Sequence, residues 1–138
     1  MKNISVLLLL AALLVSCECL DCKPLLIDFH YINHTDTVVE ISIDYGSIPI
    51  NPVDERVEPA DTLKLEYAEA ELEEGIFGEH VSTRFKFMST TATCLTYSGA
   101  TNDSLPDPRA EDDWTQNQTA REFVIDFSLY SYVDYCER

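Results

Sequence analysis

The sequence predicts an all-β domain built as an antiparallel two-sheet sandwich, and three observations lead to this fold class. Apolar and polar residues alternate with a period of two in six separate segments. Residues that favour turns lie between these segments. The one helical candidate, residues 68–74, is too short and too acidic to persist without support. Alternation of this kind gives each strand one apolar face, so two sheets are expected to pack these faces together.

The predicted strands follow one another along residues 25–129. The first two, on either side of the turn residues 33–36, are expected to form an antiparallel hairpin. Residues 46–60 contain three prolines, so this segment should hold no more than a brief edge strand at 53–57. The closing strand alternates through residues 122–129 and is predicted to be the longest. Six or seven short strands are typical of an immunoglobulin-like sandwich. The predicted inner faces are Leu25, Ile27, Phe29 and Tyr31; Val39, Ile41, Ile43 and Tyr45; Leu63, Leu65 and Tyr67; Val81, Thr83, Phe85 and Phe87; Leu95 and Tyr97; and Phe123, Ile125, Phe127 and Leu129.

The amino-terminal residues differ from the rest of the chain. A cationic start is followed by an uncharged apolar run at residues 6–15, which is shorter than the roughly 20 residues of a membrane-spanning helix. This length is typical of a secretory signal. Leu14-Val15-Ser16-Cys17 resembles the lipobox of bacterial lipoproteins, which implies cleavage before Cys17 and fatty acyl chains, such as palmitate, on that residue. The alternative is ordinary secretion with Cys17 left as a thiol.

Three parts follow from this interpretation. Residues 1–16 are the predicted lipoprotein signal peptide, residues 17–24 a lipidated tether, and residues 25–138 one β-sandwich domain. Two or more acyl chains give stable anchoring, so the protein is expected to be attached to a membrane without spanning it.

The charge of the chain limits its partners. It has 25 acidic residues against nine Lys and Arg, a formal net charge of −16. Such a surface repels phosphate backbones, so no nucleic acid is expected as a partner. The acids are spread over strands and loops, which also fits a surface that simply resists association.

The remaining cysteines predict at least one disulfide. Without Cys17 the chain has Cys19, Cys22, Cys94 and Cys136, an even number in an exported and therefore oxidising setting. Three pairings are open. Cys94 with Cys136 is the first to test, because the two flank the closing part of the fold. Cys19 and Cys22 have the spacing of a redox or metal motif, yet no second pair accompanies them, and a structural disulfide is favoured.

The long connection at residues 98–119 is the candidate binding surface, because structureless connections of this length are most often functional or disordered. Asp112, Asp113 and Trp114 are the candidate ligand contacts within it. Trp114 has two interpretations: it covers an open end of the sandwich, or it stacks on a sugar or peptide while the two aspartates accept hydrogen bonds.

The same connection carries several acids whose oxygens could bind calcium. Calcium prefers carboxylate oxygens, but the acids here match no EF-hand spacing, so a solvated loop is favoured and no metal or cofactor is predicted. The acids concerned are Asp107, Glu111, Asp112 and Asp113.

Several motifs together resemble a known group. The lipobox, the opening strand ending in residues 32–36, the 93–97 strand and the aromatic-rich closing strand occur in the order found in small uncharacterised β-rich lipoproteins of Bacteroides-type bacteria. The resemblance implies a cell-envelope location at the outer membrane, on its periplasmic or surface face, and it implies no catalytic residues. Three triplets are similar to the Asp-Ser/Thr-aliphatic O-glycosylation acceptors of such bacteria, with Thr37, Thr62 and Ser104 as acceptors. The first two also fit ordinary turn-to-strand transitions.

Two function classes remain open on the sequence. The first is a non-catalytic binding or envelope-assembly module that presents its surface to an envelope protein or a glycan. The second is an accessory hydrolytic enzyme of the envelope. Hydrolysis by a nucleophile and base would need a histidine near a serine or cysteine, and His30, His34 and His80 lie in no such motif. We therefore expect a protein that is not an enzyme.

Overall fold

The computed structural model describes residues 25–69, 71, 75, 77–100, 105–117 and 120–136, and within them the chain is all-β with two sheets. The first sheet has the strand order β4-β1-β8-β7, and the second has the order β3-β2-β5-β6-β9. Two 3-10 helices, Glu111–Asp113 and Phe127–Tyr132, accompany them. The strands are β1 (Leu26–Asn33), β2 (Val39–Asp44), β3 (Val53–Val57), β4 (Thr62–Ala68), β5 (Ser82–Phe87), β6 (Thr93–Tyr97), β7 (Thr115–Gln116), β8 (Ala120–Ile125) and β9 (Asp134–Tyr135).

The core lies where the apolar faces of the two sheets meet. Alternate residues of each strand point inward, as the period-two pattern predicts. Phe29 of β1 and Phe85 of β5 are 1% and 0% exposed. Many of the core rings meet edge to face, the arrangement that aromatic quadrupoles favour. The buried apolar residues are Phe29, Tyr31, Val39, Ile41, Ile43, Tyr45, Val57, Tyr67, Val81, Phe85, Phe87, Leu95, Tyr97, Leu105, Trp114, Phe123, Ile125 and Leu129.

The predicted hairpin between the first two strands is wrong. β1 pairs with β4 and β8, whereas β2 pairs with β3 and β5 in the other sheet. The side chain of Asn33, fully buried, donates to the carbonyl oxygens of Thr37 at 2.9 Å and Val57 at 3.0 Å. These bonds hold the segment between the strands as it passes from one sheet to the other. Two strands of facing sheets show the same alternation as a hairpin, because both bury one face against one core.

The sandwich is also not antiparallel throughout. β1 and β8 run parallel, with Tyr31 opposite Phe123 and Asn33 opposite Ile125. Parallel neighbours need a long crossover. The chain satisfies this because most of the domain lies between the two strands, and β8 begins at Ala120, beside Asp28 near the start of β1.

The closing strand is shorter than predicted. β8 ends at Ile125, and a 3-10 helix follows whose first turn is capped by Asp126, which accepts a hydrogen bond from the Ser128 amide at 2.8 Å. Leu129 is buried from this helix, so its place in the core is correct, but Phe127 is 54% exposed. The edge strand predicted at residues 53–57 is present as β3.

Candidate functional site

Trp114, the proposed ligand contact, lies in the core and is 8% exposed. Its ring meets those of Phe29 and Tyr31 edge to face, with centroids 5.0 and 4.9 Å away. Its indole nitrogen donates to the carbonyl oxygen of Pro108 at 3.0 Å. A ring enclosed in this way offers no face to a ligand, so stacking by Trp114 is corrected to the covering interpretation.

The two aspartates beside Trp114 have separate roles. Asp113 accepts a hydrogen bond from the Asp107 amide at 2.8 Å, so it fixes the fold of its own loop. Asp112 is exposed within the 3-10 helix. The three proposed binding residues therefore do not form one ligand-facing cluster. Among the residues that the structure describes, no group of three or more His, Cys, Asp or Glu is placed to hold a metal ion.

A buried ion pair organises this connection instead. Arg109 donates from Nε and Nη2 to the two carboxylate oxygens of Asp107 at 3.0 and 2.6 Å, and the two side chains are 2% and 1% exposed. Nη1 also donates to the carbonyl oxygens of Gly99 at 2.8 Å and Val81 at 3.4 Å. Through Val81 and Gly99 the pair fastens the connection to the residues just before β5 and just after β6. Its burial leaves it unsuited to receive a ligand from solvent.

An open concavity lies on the outer face of the five-stranded sheet, and we call it the outer groove. Its volume is about 840 Å³, which is within the range of small-molecule sites. The residues that line it are Ser42, Ile43, Asp44, Pro52, Val53, Asp54, Ser82, Arg84, Cys94, Leu95, Thr96, Tyr132 and Asp134.

Strand register places a row of polar side chains across the outer groove. Ser42 of β2 lies opposite Asp54 on one side and Arg84 on the other, and Arg84 lies opposite Thr96. Directly opposed residues of neighbouring strands point to the same side of a sheet. Because the odd-numbered neighbours in β2, β5 and β6 fill the core, this whole row faces solvent.

The far wall of the outer groove is held by a disulfide. Cys94 in β6 is bonded to Cys136, with their Cα atoms 4.9 Å apart, and β9 pairs with β6 just before that bond. The chain between β8 and β9 carries Tyr132, which lines the groove and is 51% exposed. The cross-link therefore anchors the segment that presents an exposed aromatic ring to the groove.

Arg84 is one of two cations among the described residues that form no ion pair, and the other is Lys64. Four others are in ion pairs: Arg56 with Glu58, Lys86 with Glu40, Arg109 with Asp107 and Arg121 with Glu111. In the part of the chain that the structure describes, Arg84 is exposed and has neither an ion pair nor a side-chain hydrogen bond. In a chain of net charge −16, a guanidinium without a carboxylate is an unusual feature.

A smaller cavity of about 330 Å³ lies on the other side of Tyr132. It reaches the ion pair of Asp107 and Arg109 and the ring of Tyr97. The Tyr97 hydroxyl is buried and has no hydrogen-bond partner among the described residues, and burial raises the pKa of this phenol. The cavity continues the outer groove around the exposed tyrosine.

The histidines lie outside the outer groove. His30 is on the outer face of the four-stranded sheet, opposite Lys64 and Glu122, and His34 is in the exposed turn after β1. His80 is exposed, and its Nε2 is hydrogen-bonded to the Gly75 carbonyl oxygen. None of these three imidazoles lines the groove.

Several residues singled out in the sequence lie outside the described residues: Cys17, Cys19, Cys22 and Ser104. Thr37 and Thr62 are described and half-buried. The Thr37 carbonyl accepts from Asn33 and Thr35, and Thr62 pairs with Ile32 of β1. Both threonines are thus parts of turns or strands. No helix among the described residues is long and apolar enough to cross a membrane.

Sequence reasoning did not single out the outer groove. Arg84 was passed over because it lies on the polar face of an alternating strand, and Tyr132 because it lies beyond the last predicted strand. The signal that could have identified Arg84 is its positive charge on the outward face of a strand, directly after the hydroxyl residues Ser82 and Thr83. No protein-family model, curated protein or solved structure matches the chain.

Proposed function

We propose that this chain is a lipid-anchored lipoprotein of a bacterial cell envelope whose β-sandwich is a non-catalytic binding module. The observation that supports this function is the outer groove, where Arg84, exposed and without an ion-pair partner, lies among polar side chains. Binding sites are concave and contain a few polar groups that fix the orientation of a ligand. A rigid sheet is a suitable support for such groups, because its register sets their spacing.

The anchor is part of the proposal. The signal-like residues 1–16 and the lipobox ending in Cys17 support lipidation, and the resemblance to Bacteroides-type lipoproteins supports the outer membrane as the location. The tether, residues 17–24, enters the domain at the start of β1. The module would then stand close to the membrane and present its groove sideways, on the face of the second sheet.

We further propose that the sandwich is immunoglobulin-like. In that fold, strands B and E are neighbours with A beside B, and strands G, F, C and C′ are neighbours in the second sheet. β1 and β4 match B and E, while β2, β3, β5 and β6 match C, C′, F and G in their pairings. β8 occupies the place of A but runs parallel to β1, so the match is to a variant of the fold.

A non-catalytic role fits the groove better than hydrolysis does. Hydrolysis by a nucleophile and a base requires the two side chains within hydrogen-bond reach of each other. The hydroxyl residues Ser42, Ser82 and Thr96 line the outer groove, whereas no histidine does. The Ser42 hydroxyl donates a hydrogen bond to Asp54 at 2.9 Å on the sheet surface. Such a contact also occurs in ordinary exposed strands.

The test is to fill the outer groove. Thr96→Trp places a large ring in its centre, and Lys64→Trp adds the same ring to an exposed site on the other sheet. The full-length proteins, in detergent, are compared for envelope components that they retain from the bacterium of origin. We expect Thr96→Trp to retain at least tenfold less of the envelope components than the wild type does, and Lys64→Trp to retain the same amount. Both variants should be equally stable to heat.

Two results would contradict the proposal. Equal retention by the two variants would show that the outer groove is not the binding surface. Conversion of the retained material into smaller products by the wild-type protein would show that the module is catalytic.

A further inference from the structure

We infer that the outer groove binds a carbohydrate that carries a carboxylate, with Arg84 as the residue that pairs with the acid. This inference rests on the proposed binding function and specifies the ligand of the same groove. Three features of the groove support it: the unpaired charge of Arg84, the polar side chains around it, and the position of the groove on the face of the sheet.

Arg84 offers a vacant position for an acid. Its neighbours across the sheet are Ser42 and Thr96, whose hydroxyl groups do not neutralise a guanidinium. Its planar fork matches a carboxylate through two parallel hydrogen bonds. The other described cation without an ion pair is Lys64, which lies on the outer face of the four-stranded sheet. Arg84 is thus the described cation of the groove that is available to an external acid.

The surroundings of Arg84 suit a ligand with many hydroxyl groups. Exposed carboxylates line the groove at Asp44, Asp54 and Asp134, and ionised carboxylates only accept hydrogen bonds. Sugar hydroxyl groups can donate to them and can also accept from Arg84. A simple carboxylate has no hydrogen-bond donor for the three like-charged aspartates. The acid group should therefore be one part of a larger polyhydroxylated molecule.

The position of the groove argues against an extended peptide. Peptides that add as strands use the free backbone groups of a sheet edge. The outer groove lies across the face of β2 and β5, which are paired on both sides, and of β6, whose outer edge is paired with β9 at Thr93 and Cys94. Tyr132 at its wall is half-exposed, and an aromatic ring there can cover the apolar face of a sugar ring.

The net charge sets how binding should depend on salt. At −16 the chain repels an acidic ligand from a distance, so attraction must come from direct contact with Arg84. Added salt screens the long-range repulsion and weakens the contact. These two effects oppose each other, and we expect a shallower salt dependence than that of a polyanion-binding protein with a basic surface.

The experiment uses full-length protein in detergent and calorimetric titration with matched pairs of oligosaccharides. The probes are fragments of polygalacturonate, alginate and hyaluronan, each beside its carboxyl-reduced neutral counterpart, together with oligolysine. We expect at least one acidic fragment to bind at least tenfold more tightly than its neutral counterpart. Arg84→Gln should weaken that binding about tenfold to a hundredfold, the usual range for a hydrogen bond to a charged group. Arg84→Lys should weaken it less, because it keeps the charge and loses the fork.

Lys64→Gln is the matched control, because it removes an exposed cation outside the groove and should leave the affinity unchanged. Equal binding of acidic and neutral fragments, or full binding by Arg84→Gln, overturns the inference. Tight binding of oligolysine that is abolished by Thr96→Trp also overturns the inference, because it would identify a basic peptide as the ligand. Failure of every saccharide to bind also overturns it. The proposed binding function is judged separately, by the retention of envelope components in the groove-filling experiment.

Discussion

Arg109 and Asp107 form a doubly hydrogen-bonded ion pair across a single intervening proline, with both side chains almost completely buried. The same arginine reaches the carbonyl oxygens of Val81 and Gly99. The long acidic connection is therefore fixed to the start of β5 and to the segment after β6. This explains how a segment rich in acids and prolines can deliver Trp114 into the core at a defined position.

Removing one partner of this ion pair should be strongly destabilising. Arg109→Leu leaves the Asp107 carboxylate buried without its partner, and such changes typically cost about 3 to 5 kcal/mol. Chemical denaturation would measure the free energy of unfolding. The control is Arg56→Leu, in which an exposed pair is lost and the cost should be at most about 1 kcal/mol. Equal costs for the two variants would refute a structural role for the buried pair.

Trp114 should contribute through packing. Trp114→Ala removes a ring enclosed by aromatic neighbours and should lower the free energy of unfolding by about 3 to 5 kcal/mol, as large core truncations do. Trp114→Phe keeps part of the contact and should cost less. A thermal melt compares the three proteins. An alanine variant as stable as the wild type would contradict the covering role.

The Cys94–Cys136 bond should stabilise the domain by restricting the unfolded chain. The bonded residues are 42 apart in sequence. Closing a loop of this size contributes roughly 4 kcal/mol in the chain-entropy model. We expect Cys94→Ser/Cys136→Ser to unfold at lower denaturant concentration. Thiol titration of the unreduced, denatured protein should find neither cysteine reactive, and two extra thiols relative to the bonded state would disprove the cross-link.

Four buried tyrosines should make the fold sensitive to alkali. Burial raises the pKa of Tyr31, Tyr45, Tyr67 and Tyr97 above the ordinary value of 10.0. Each phenol therefore keeps its proton longer in the folded state than in the unfolded state. The stability is unaffected below pH 10 and falls as the pH rises above it, by about 1.4 kcal/mol per pH unit for each such tyrosine. Tyr67→Phe should reduce this slope in denaturation curves recorded from pH 8 to 12. An unchanged slope would show that Tyr67 titrates alike in both states.

Lipidation should depend on Cys17. Cys17→Ser removes the thiol that would receive the acyl chains, so the variant should be released as a soluble protein or keep its signal peptide. Phase partitioning in detergent distinguishes these forms from the anchored wild type. A processed Cys17→Ser protein that still enters the detergent phase would rule out this anchor.

The alternation of residues was sufficient to identify the main strands and the side of each that faces the core. This information is local, because successive side chains of a strand point to opposite sides whatever lies next to it. Phe29, Ile41 and Phe85 could therefore be assigned to the interior from the sequence. The same reasoning placed an edge strand at residues 53–57, because prolines flank it. It failed at Leu25, which precedes β1 and is 61% exposed, and at Phe127, where a capped 3-10 helix begins although the alternation continues.

Only the tertiary structure decided which strands are neighbours, and with them the site. Strand pairing joins residues that are far apart in the chain. A strand with one apolar face can belong to a hairpin or to a facing sheet, so the sequence could not assign β1 and β2 to separate sheets. The acidic neighbours of Trp114 do not indicate whether it lies in the core or at the surface. Its position depends on the buried ion pair of Asp107 and Arg109, which precedes it in the chain, and on its hydrogen bond to Pro108. The groove around Arg84 is formed by β2, β6 and the segment before β9. The strand register shows that hydroxyl groups, and no carboxylate, lie directly opposite Arg84. Only this register identifies its guanidinium as a charge without a partner.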